Sequence, residues 1–180
     1  MIRLMVAVFL AGMTATSAMA APAPPPPVIS GFGTTAEVVD PYLSPDPKLR
    51  YRVVFDISQA PKAADQVHQG LEKVARFVNL LGRYGNRPQA GDLVVVIHGQ
   101  AAFVTLNAAT FGKRFDGATN PNIEIIQKLT DAGVSIRLCG QSMAGLGFKP
   151  TELNPNIKVD VAAITTMATL QLQGFALIPQ

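Results

Sequence analysis

Residues 92–99, DLVVVIHG, form the segment that most restricts the fold of this chain. Five consecutive apolar residues follow Asp92, so both sides of an extended strand built from them would be apolar. Strands at a protein surface alternate apolar and polar residues, whereas a parallel strand covered by helices on both faces does not. The segment therefore predicts a central strand of a parallel sheet.

The chain from Tyr51 onward alternates strand and helix patterns. Further strands are predicted at 51–57, 134–139, 157–163 and 175–179, where apolar and β-branched residues cluster. Helices are predicted over 64–83, 120–133 and 164–174, with a short one over 101–106. This order indicates an α/β domain over residues 51–180, in which right-handed crossovers cover both faces of a parallel sheet.

Residues 1–20 have the features of a cleavable signal peptide. Arg3 precedes the apolar run 4–13, and residues 18–20 supply the small side chains that signal peptidase recognises. Cleavage is expected before Ala21, which would make the mature protein periplasmic. The apolar run is about half of the roughly 20 residues that cross a bilayer, so no membrane anchor is expected.

Residues 21–50 are rich in proline and show no sustained period, which predicts an irregular arm laid over the domain. Without Arg3, 14 basic residues (15 less one) face 12 acidic residues, so the net charge is about +2 and is spread without runs. This pattern lacks the basic patch of a nucleic-acid-binding protein.

Candidate functional residues fall where the predicted strands end. Ligands of open parallel sheets gather at the carboxyl edge. The first strand ends at Asp56 and Ser58, the second at His98-Gly99, and the third at residues 139–142, Cys-Gly-Gln-Ser. All plausible chemistry therefore lies on one edge of the sheet.

Cys139 is the only cysteine, so it has no disulfide partner within the chain. A thiol just before a helix or turn meets unpaired N–H groups that favour its thiolate. Gly140 would let that backbone come close, and Ser142 could cap a short helix starting near Met143. The alternative is a cysteine that packs as a small hydrophobic residue at a strand end.

The two histidines and a nearby arginine allow several roles. His98 could exchange a proton with Cys139, or it could simply donate a hydrogen bond to a loop carbonyl. His68 is predicted to be solvated. Arg137 alternates with Cys139 along the strand and shares its face, although a solvated position is expected for it.

Three kinds of site are not supported by the motifs. Residues 140–145, GQSMAG, miss the spacing of the G-x-S-x-G nucleophile elbow, and no histidine follows His98. No Walker or dinucleotide-binding glycine pattern is present. The histidines and Cys139 lack paired metal-ligand spacing, so neither a metal nor a cofactor is expected.

Several segments carry a resemblance to a known family. The sequence resembles the DsrE/DsrF-like family, and more closely its exported members with a proline-rich arm, in these segments: 70–82 (GLEKVARFVNLLG), 94–101 (VVVIHGQA), 120–142 (NPNIEIIQKLTDAGVSIRLCGQS) and 169–179 (TLQLQGFALIP). The resemblance implies a three-layer α/β/α domain with a five-stranded parallel sheet, flavodoxin-like in appearance. It also implies homo- or hetero-oligomers.

The resemblance implies a role for the cysteine as well. Relay proteins of the family carry a persulfide sulfur on a cysteine after the third strand, and Cys139 matches that position. The leading hypothesis is a periplasmic sulfur carrier or sulfurtransferase that uses Cys139 and His98, with a protein or small sulfur compound as donor and acceptor. Gly99, Gly140, Gln141 and Ser142 would form the substrate-binding backbone around them. Two alternatives remain open, namely a non-catalytic, oligomeric small-ligand-binding protein and a redox sensor that forms an intersubunit or mixed disulfide.

Overall fold

The computed structural model of the protein describes residues 25–179. The predicted signal peptide, residues 1–20, and the first residues of the arm lie outside this range. Within it, no helix is both long and apolar enough to span a membrane.

The domain contains a five-stranded parallel sheet, as predicted. Its strands are β1 (Val53–Ile57), β2 (Leu93–Ile97), β3 (Ser135–Cys139), β4 (Lys158–Asp160) and β5 (Ala176–Pro179). They lie in the order β4-β3-β2-β1-β5, and every pair is parallel. All five residues of the central β2 are buried, which explains its uninterrupted apolar sequence. The predicted fourth strand was too long, because the chain leaves the sheet after Asp160.

Helices connect the strands and cover both faces. They are α1 (Gln69–Arg83), α2 (Ala108–Arg114), α3 (Ile123–Asp131), α4 (Gly140–Gly145) and α5 (Ala163–Leu172). A 3-10 helix, Gly99–Thr105, follows β2 in place of the short helix predicted over 101–106. Helix α2 was not predicted, because it is too short to show a periodic pattern. Helix α4 begins at Gly140 and not near Met143, where a short helix was expected.

The two faces of the sheet are packed unequally because alternate residues of each strand point to opposite sides. Val53, Phe55 and Ile57 of β1 belong to the large core with α1 and α3. Val54, between them, belongs to a smaller cluster that includes Ala163 and Leu170 of α5, together with Val94, Val96, Cys139 and Phe175. Helix α5 contacts β1 and β2 and covers this second face.

The arm is held on α1 by the side chain of Asn79. Asn79 Oδ1 accepts a 2.7 Å hydrogen bond from the N–H of Ile29, and its Nδ2 donates to the carbonyls of Phe32 at 2.9 Å and Gly33 at 3.1 Å. Gly33 must be glycine, because it has φ +62° and a Cβ there would lie 2.2 Å from the Arg76 nitrogen. The arm thus lies on the side of the sheet opposite α5.

The prediction that His68 is solvated is wrong. His68 is fully buried and is the N-cap residue of α1, which begins at Gln69 and not at residue 64. Its Nδ1 accepts from the N–H of Gly70 at 3.0 Å, so the proton resides on Nε2, which donates to the Gln59 carbonyl at 2.8 Å. Burial lowers the pKa of His68, and the Gln59 bond opposes this only in part. His68 is therefore a neutral helix cap.

Candidate functional site

The carboxyl edge of the sheet brings together one polar side chain from each of four adjacent strands. In strand order these are Asp160 at the end of β4, Cys139 on β3, His98 directly after β2, and Asp56 on β1. Cys139 pairs with Asp160, and Leu138 pairs with Ile97, so His98 follows in register beside Cys139. The parallel direction of the strands produces this convergence.

Cys139 ends β3 and is the residue directly before α4. Its side chain is mostly buried, at 6% exposure, and its sulfur accepts a 3.3 Å hydrogen bond from the N–H of Ala163. Ala163 is the first residue of α5, so the thiol lies between the starts of two helices. Both helices direct unpaired N–H groups toward that region, which favours negative charge there.

The pKa of Cys139 is lowered from its ordinary value. Burial acts in the opposite direction, because it disfavours the charged thiolate. Hydrogen bonds from the backbone of Ser142 and Ala163, from the Ser142 hydroxyl and from the backbone of Gln141 outweigh that effect. The Ala163 bond has full hydrogen-bond geometry, while the α4 amides are less well aligned. The site thus favours the reactive form of the thiol.

Ser142 does not cap a helix starting near Met143, contrary to the prediction. It is the third residue of α4, and its Oγ accepts a 3.0 Å hydrogen bond from the N–H of Gly99. Its single hydroxyl proton remains available as a donor, and the hydroxyl contributes to the lowered pKa of Cys139. Ser142 therefore connects the end of β2 to the thiol at the end of β3.

Gly140 and Gly99 are required by close backbone approaches. A Cβ on Gly140 would lie 2.7 Å from the Asp160 carbonyl oxygen and 3.1 Å from that of Val161. Gly99 has φ +54°, and its Cβ would lie 3.0 Å from the Ser58 carbonyl oxygen. These contacts hold the connections after β1, β2, β3 and β4 against one another.

Gln141 is exposed, and its Nε2 donates a 3.3 Å hydrogen bond to the Val161 carbonyl. This bond links α4 to the segment between β4 and α5. The side chain therefore helps to position the loops around the thiol, and its backbone contributes a donor toward the sulfur.

His98 is paired with Asp56 in the structure. His98 Nε2 lies 2.7 Å from Asp56 Oδ1, and both side chains are a little over one quarter exposed. The carboxylate holds the imidazole in one orientation at the edge of the sheet. The sequence placed Asp56 at this edge but offered no signal for the pair, because the contact spans 42 residues and depends on strand order.

Arg137 was expected to be solvated, but its side chain forms an ion pair with Asp160. Its guanidinium lies 3.4 Å from Asp160 Oδ2, and that carboxylate also accepts a 2.9 Å bond from the Thr166 hydroxyl. These residues line a cavity of about 340 Å³ beside α5, together with Thr165, Thr169 and others. Sequence reasoning missed Asp160 and Thr166, since neither lies in a recognisable motif.

Residues 25–179 contain no group of three or more His, Cys, Asp or Glu side chains that could hold a metal ion. The groups present at the carboxyl edge are a thiol, a histidine–carboxylate pair and backbone N–H donors. Such a set can activate a sulfur nucleophile and supply a proton.

Replacing Ser142 by alanine should slow alkylation of Cys139 below its apparent pKa. The hydroxyl favours the thiolate, so its loss should shift the pH profile of iodoacetamide reaction upward, and the rates should converge where both thiols are ionised. When alkylation is followed by mass spectrometry, the midpoint of the wild-type pH profile should also lie below that of the same chain unfolded in urea.

Ser30→Ala is the control for this experiment, since Ser30 is an exposed serine of the arm. Its alkylation profile should match the wild type. A Ser142→Ala profile that coincides with the wild type would contradict the assigned hydrogen bond.

Gly140→Ala should destabilise the domain by about 1–3 kcal/mol, because its Cβ would collide with the backbone after β4. Gly145→Ala in the same helix is a matched control, since a Cβ there meets nothing within 4 Å. Alanine should be neutral or slightly favourable at Gly145. Urea unfolding of both variants tests this, and equal midpoints would refute the close approach.

The chain is similar to known proteins in sequence and in fold. A model of the DsrE/DsrF-like family matches residues 50–179. Among curated proteins, none matches the chain.

Two solved structures are similar to the chain. One is the protein of unknown function MTH1491 from Methanobacterium thermoautotrophicum, at 19% identity and a TM-score of 0.53, covering 72% of this chain and 99% of that protein. The other is the ychN protein from E. coli, at 15% identity and a TM-score of 0.52, with the same coverage of both chains. At these identities the likeness establishes a shared fold.

Proposed function

Because the chain belongs to the DsrE/DsrF-like family, we propose that it is an exported sulfur carrier that holds sulfane sulfur on Cys139. The observation that carries this proposal is the thiol at the exit of β3, whose pKa is lowered by donors from α4 and α5. A thiolate is the form of cysteine that attacks a sulfur–sulfur bond.

The reaction conserves sulfur and electrons without a separate oxidant. The Cys139 thiolate attacks the outer sulfur of a donor persulfide, R–S–SH, and forms a new S–S bond on the protein. The donor's own S–S bond breaks, and R–S⁻ leaves and takes up a proton. An acceptor thiolate then removes the outer sulfur in the same way and regenerates the Cys139 thiolate.

The surroundings of Cys139 fit an anionic, sulfur-bearing group. The donors that stabilise the thiolate can also stabilise a persulfide anion, since both place negative charge on sulfur. Cys139 is only 6% exposed, so a small donor would reach it more readily than a bulky one. The cavity lined by Arg137 and Asp160 lies on the same side of β3 and offers polar groups nearby.

His98 would protonate the leaving sulfur. It follows β2 directly beside Cys139, and Asp56 holds its ring by a 2.7 Å hydrogen bond. Asp56 would act as a positioning residue that orients the imidazole. The two predicted catalytic residues would thus have different roles: Cys139 would carry the sulfur, and His98 would supply the proton.

Incubation with cysteine persulfide, a small donor, should add one sulfur atom to the wild-type protein and none to Cys139→Ser. His98→Gln should reach the same final mass but load more slowly, by about a hundredfold or more, as expected for loss of a general acid. If Cys139→Ser gains as much sulfur as the wild type, or the wild type gains none, the proposed carrier function is wrong.

The intact mass of protein taken from the periplasm should also show a chain that begins at Ala21.

The burial of Cys139 supports one rival function, a ligand-binding protein with a merely packed cysteine. The thiol belongs to an apolar cluster with Val54, Val94 and Val96. Native alkylation distinguishes the two, since a packed thiol would react slowly at every pH. Redox sensing through a disulfide to another molecule would require the same access to the sulfur as persulfide exchange, so burial does not distinguish these two functions.

The protein would also self-associate, because large apolar side chains are exposed on both sides of the domain. Helix α5 exposes Ile164 and Leu172, and Val161 precedes it. The arm exposes Val38, Val39, Tyr42 and Leu43. Exposed apolar clusters of this kind mark interaction surfaces.

A second copy of the chain is the occupant that fits these surfaces. Arg76 and Arg83 of α1 donate 3.1 Å hydrogen bonds to the carbonyls of Thr34 and Ala36, which fixes the arm on the α1 side just before its apolar residues. Since α5 covers the opposite face, the arm would meet the α5 surface of another molecule and not its own.

The double variant Ile164→Ser, Leu172→Ser should have a lower molar mass than the wild type in light scattering coupled to size-exclusion chromatography. Thr169→Ser with Gln171→Ser changes exposed polar residues of the same helix and should leave the mass unchanged. A monomeric wild type, or an unchanged mass for the apolar double variant, would exclude association through α5.

A further inference from the structure

A second cavity, of about 490 Å³, lies away from the thiol on the side of the large core. One wall is the loop that contains Ala60, Pro61 and Ala64. The opposite wall is the 3-10 helix after β2 together with α2. The cavity is lined by Ala60, Pro61, Ala64, Gln100, Phe103, Val104, Phe111, Arg114, Phe115 and Asn122. Cys139 and His98 are not among these residues.

Aromatic rings form a fixed wall of this cavity. Phe103 packs edge to face against Phe115, with centroids 5.7 Å apart, and against Phe148 at 5.3 Å. Phe111 lies 4.4 Å from Phe115. Rings that are locked by one another in this way present a flat apolar surface without further loss of side-chain entropy.

Arg114 supplies an uncompensated positive charge at the cavity. Within residues 25–179, no carboxylate lies within ion-pair distance of its guanidinium. The guanidinium instead lies over the Phe148 ring, 4.7 Å from its centroid, which orients it beside the aromatic wall. A guanidinium held in this way can bind a carboxylate through two parallel hydrogen bonds.

Asn122 contributes a buried hydrogen-bond donor to the cavity. It is 1% exposed, its Oδ1 accepts from the N–H of His68 at 2.8 Å, and its Nδ2 donates to Asn120 Oδ1 at 3.1 Å. An amide nitrogen carries two hydrogens, and the second has no partner among the described residues. A buried donor without a partner favours a ligand that brings an acceptor.

We propose that this cavity binds a small organic anion with a flat apolar body and a carboxylate. The phenylalanine wall would take the apolar body, Arg114 the carboxylate, and Asn122 a further acceptor atom of the ligand. The site goes beyond the proposed sulfur chemistry and does not depend on it, because it contains neither Cys139 nor His98.

Benzoate is a suitable probe, and benzamide is its neutral counterpart. Titrations by calorimetry in the Cys139→Ser background keep the result independent of thiol chemistry. Benzoate should bind more tightly than benzamide, and Arg114→Gln should weaken benzoate by about tenfold or more while leaving benzamide unchanged. Ala64→Trp, which fills the cavity from an exposed loop position, should abolish binding of both.

Arg52→Gln is the matched control, because Arg52 also lies over a phenylalanine ring, that of Phe175 at 4.3 Å, but outside this cavity. It should bind benzoate as the parent does. Circular dichroism confirms that each variant folds. The proposal is overturned if benzoate does not bind, if Arg114→Gln and Arg52→Gln have equal effects, or if Ala64→Trp leaves the affinity unchanged.

Discussion

The parallel pairing of β2 on both of its edges is the constraint on which the rest of the structure depends. Its five residues are buried on both faces, so helices must cover the sheet above and below. Because β1, β3 and β4 run in the same direction, their carboxyl ends meet at a single edge. Asp56, His98, Cys139 and Asp160 come together there although the sequence separates them by up to 104 residues (160 less 56).

The pKa of the Cys139 thiol at this edge depends on two opposing effects. Burial among Val54, Val94 and Val96 disfavours the thiolate, while donors from α4 and α5 favour it and prevail. The donors can approach only because Gly140 lacks a Cβ, which lets the turn after β3 lie against the backbone after β4. The close backbone packing at Gly140 thus helps to lower the pKa of the neighbouring Cys139 thiol.

The 3-10 helix after β2 connects the two candidate sites. Its first residue, Gly99, donates to the Ser142 hydroxyl next to the thiol. The following residue, Gln100, lines the aromatic cavity, as do Phe103 and Val104 further along. A short element of seven residues therefore touches both places, and its position is fixed by the left-handed turn at Gly99.

The sequence by itself determined the strands, the longest helices and the fold class, and it placed the candidate functional residues at one edge of the sheet. Apolar runs and helical periodicity located all five strands and the three longest helices, because those patterns arise from local burial. Cys139 and His98 could be named as candidates from their positions at the strand ends alone. The tertiary structure decided the partners: Asp56 for His98, the Gly99 N–H for Ser142, and Ala163 for the thiol. It also corrected His68 and Ser142, whose local sequence suggested a solvated side chain and a helix cap. These outcomes depend on strand order and backbone approach between distant segments, which no local pattern encodes.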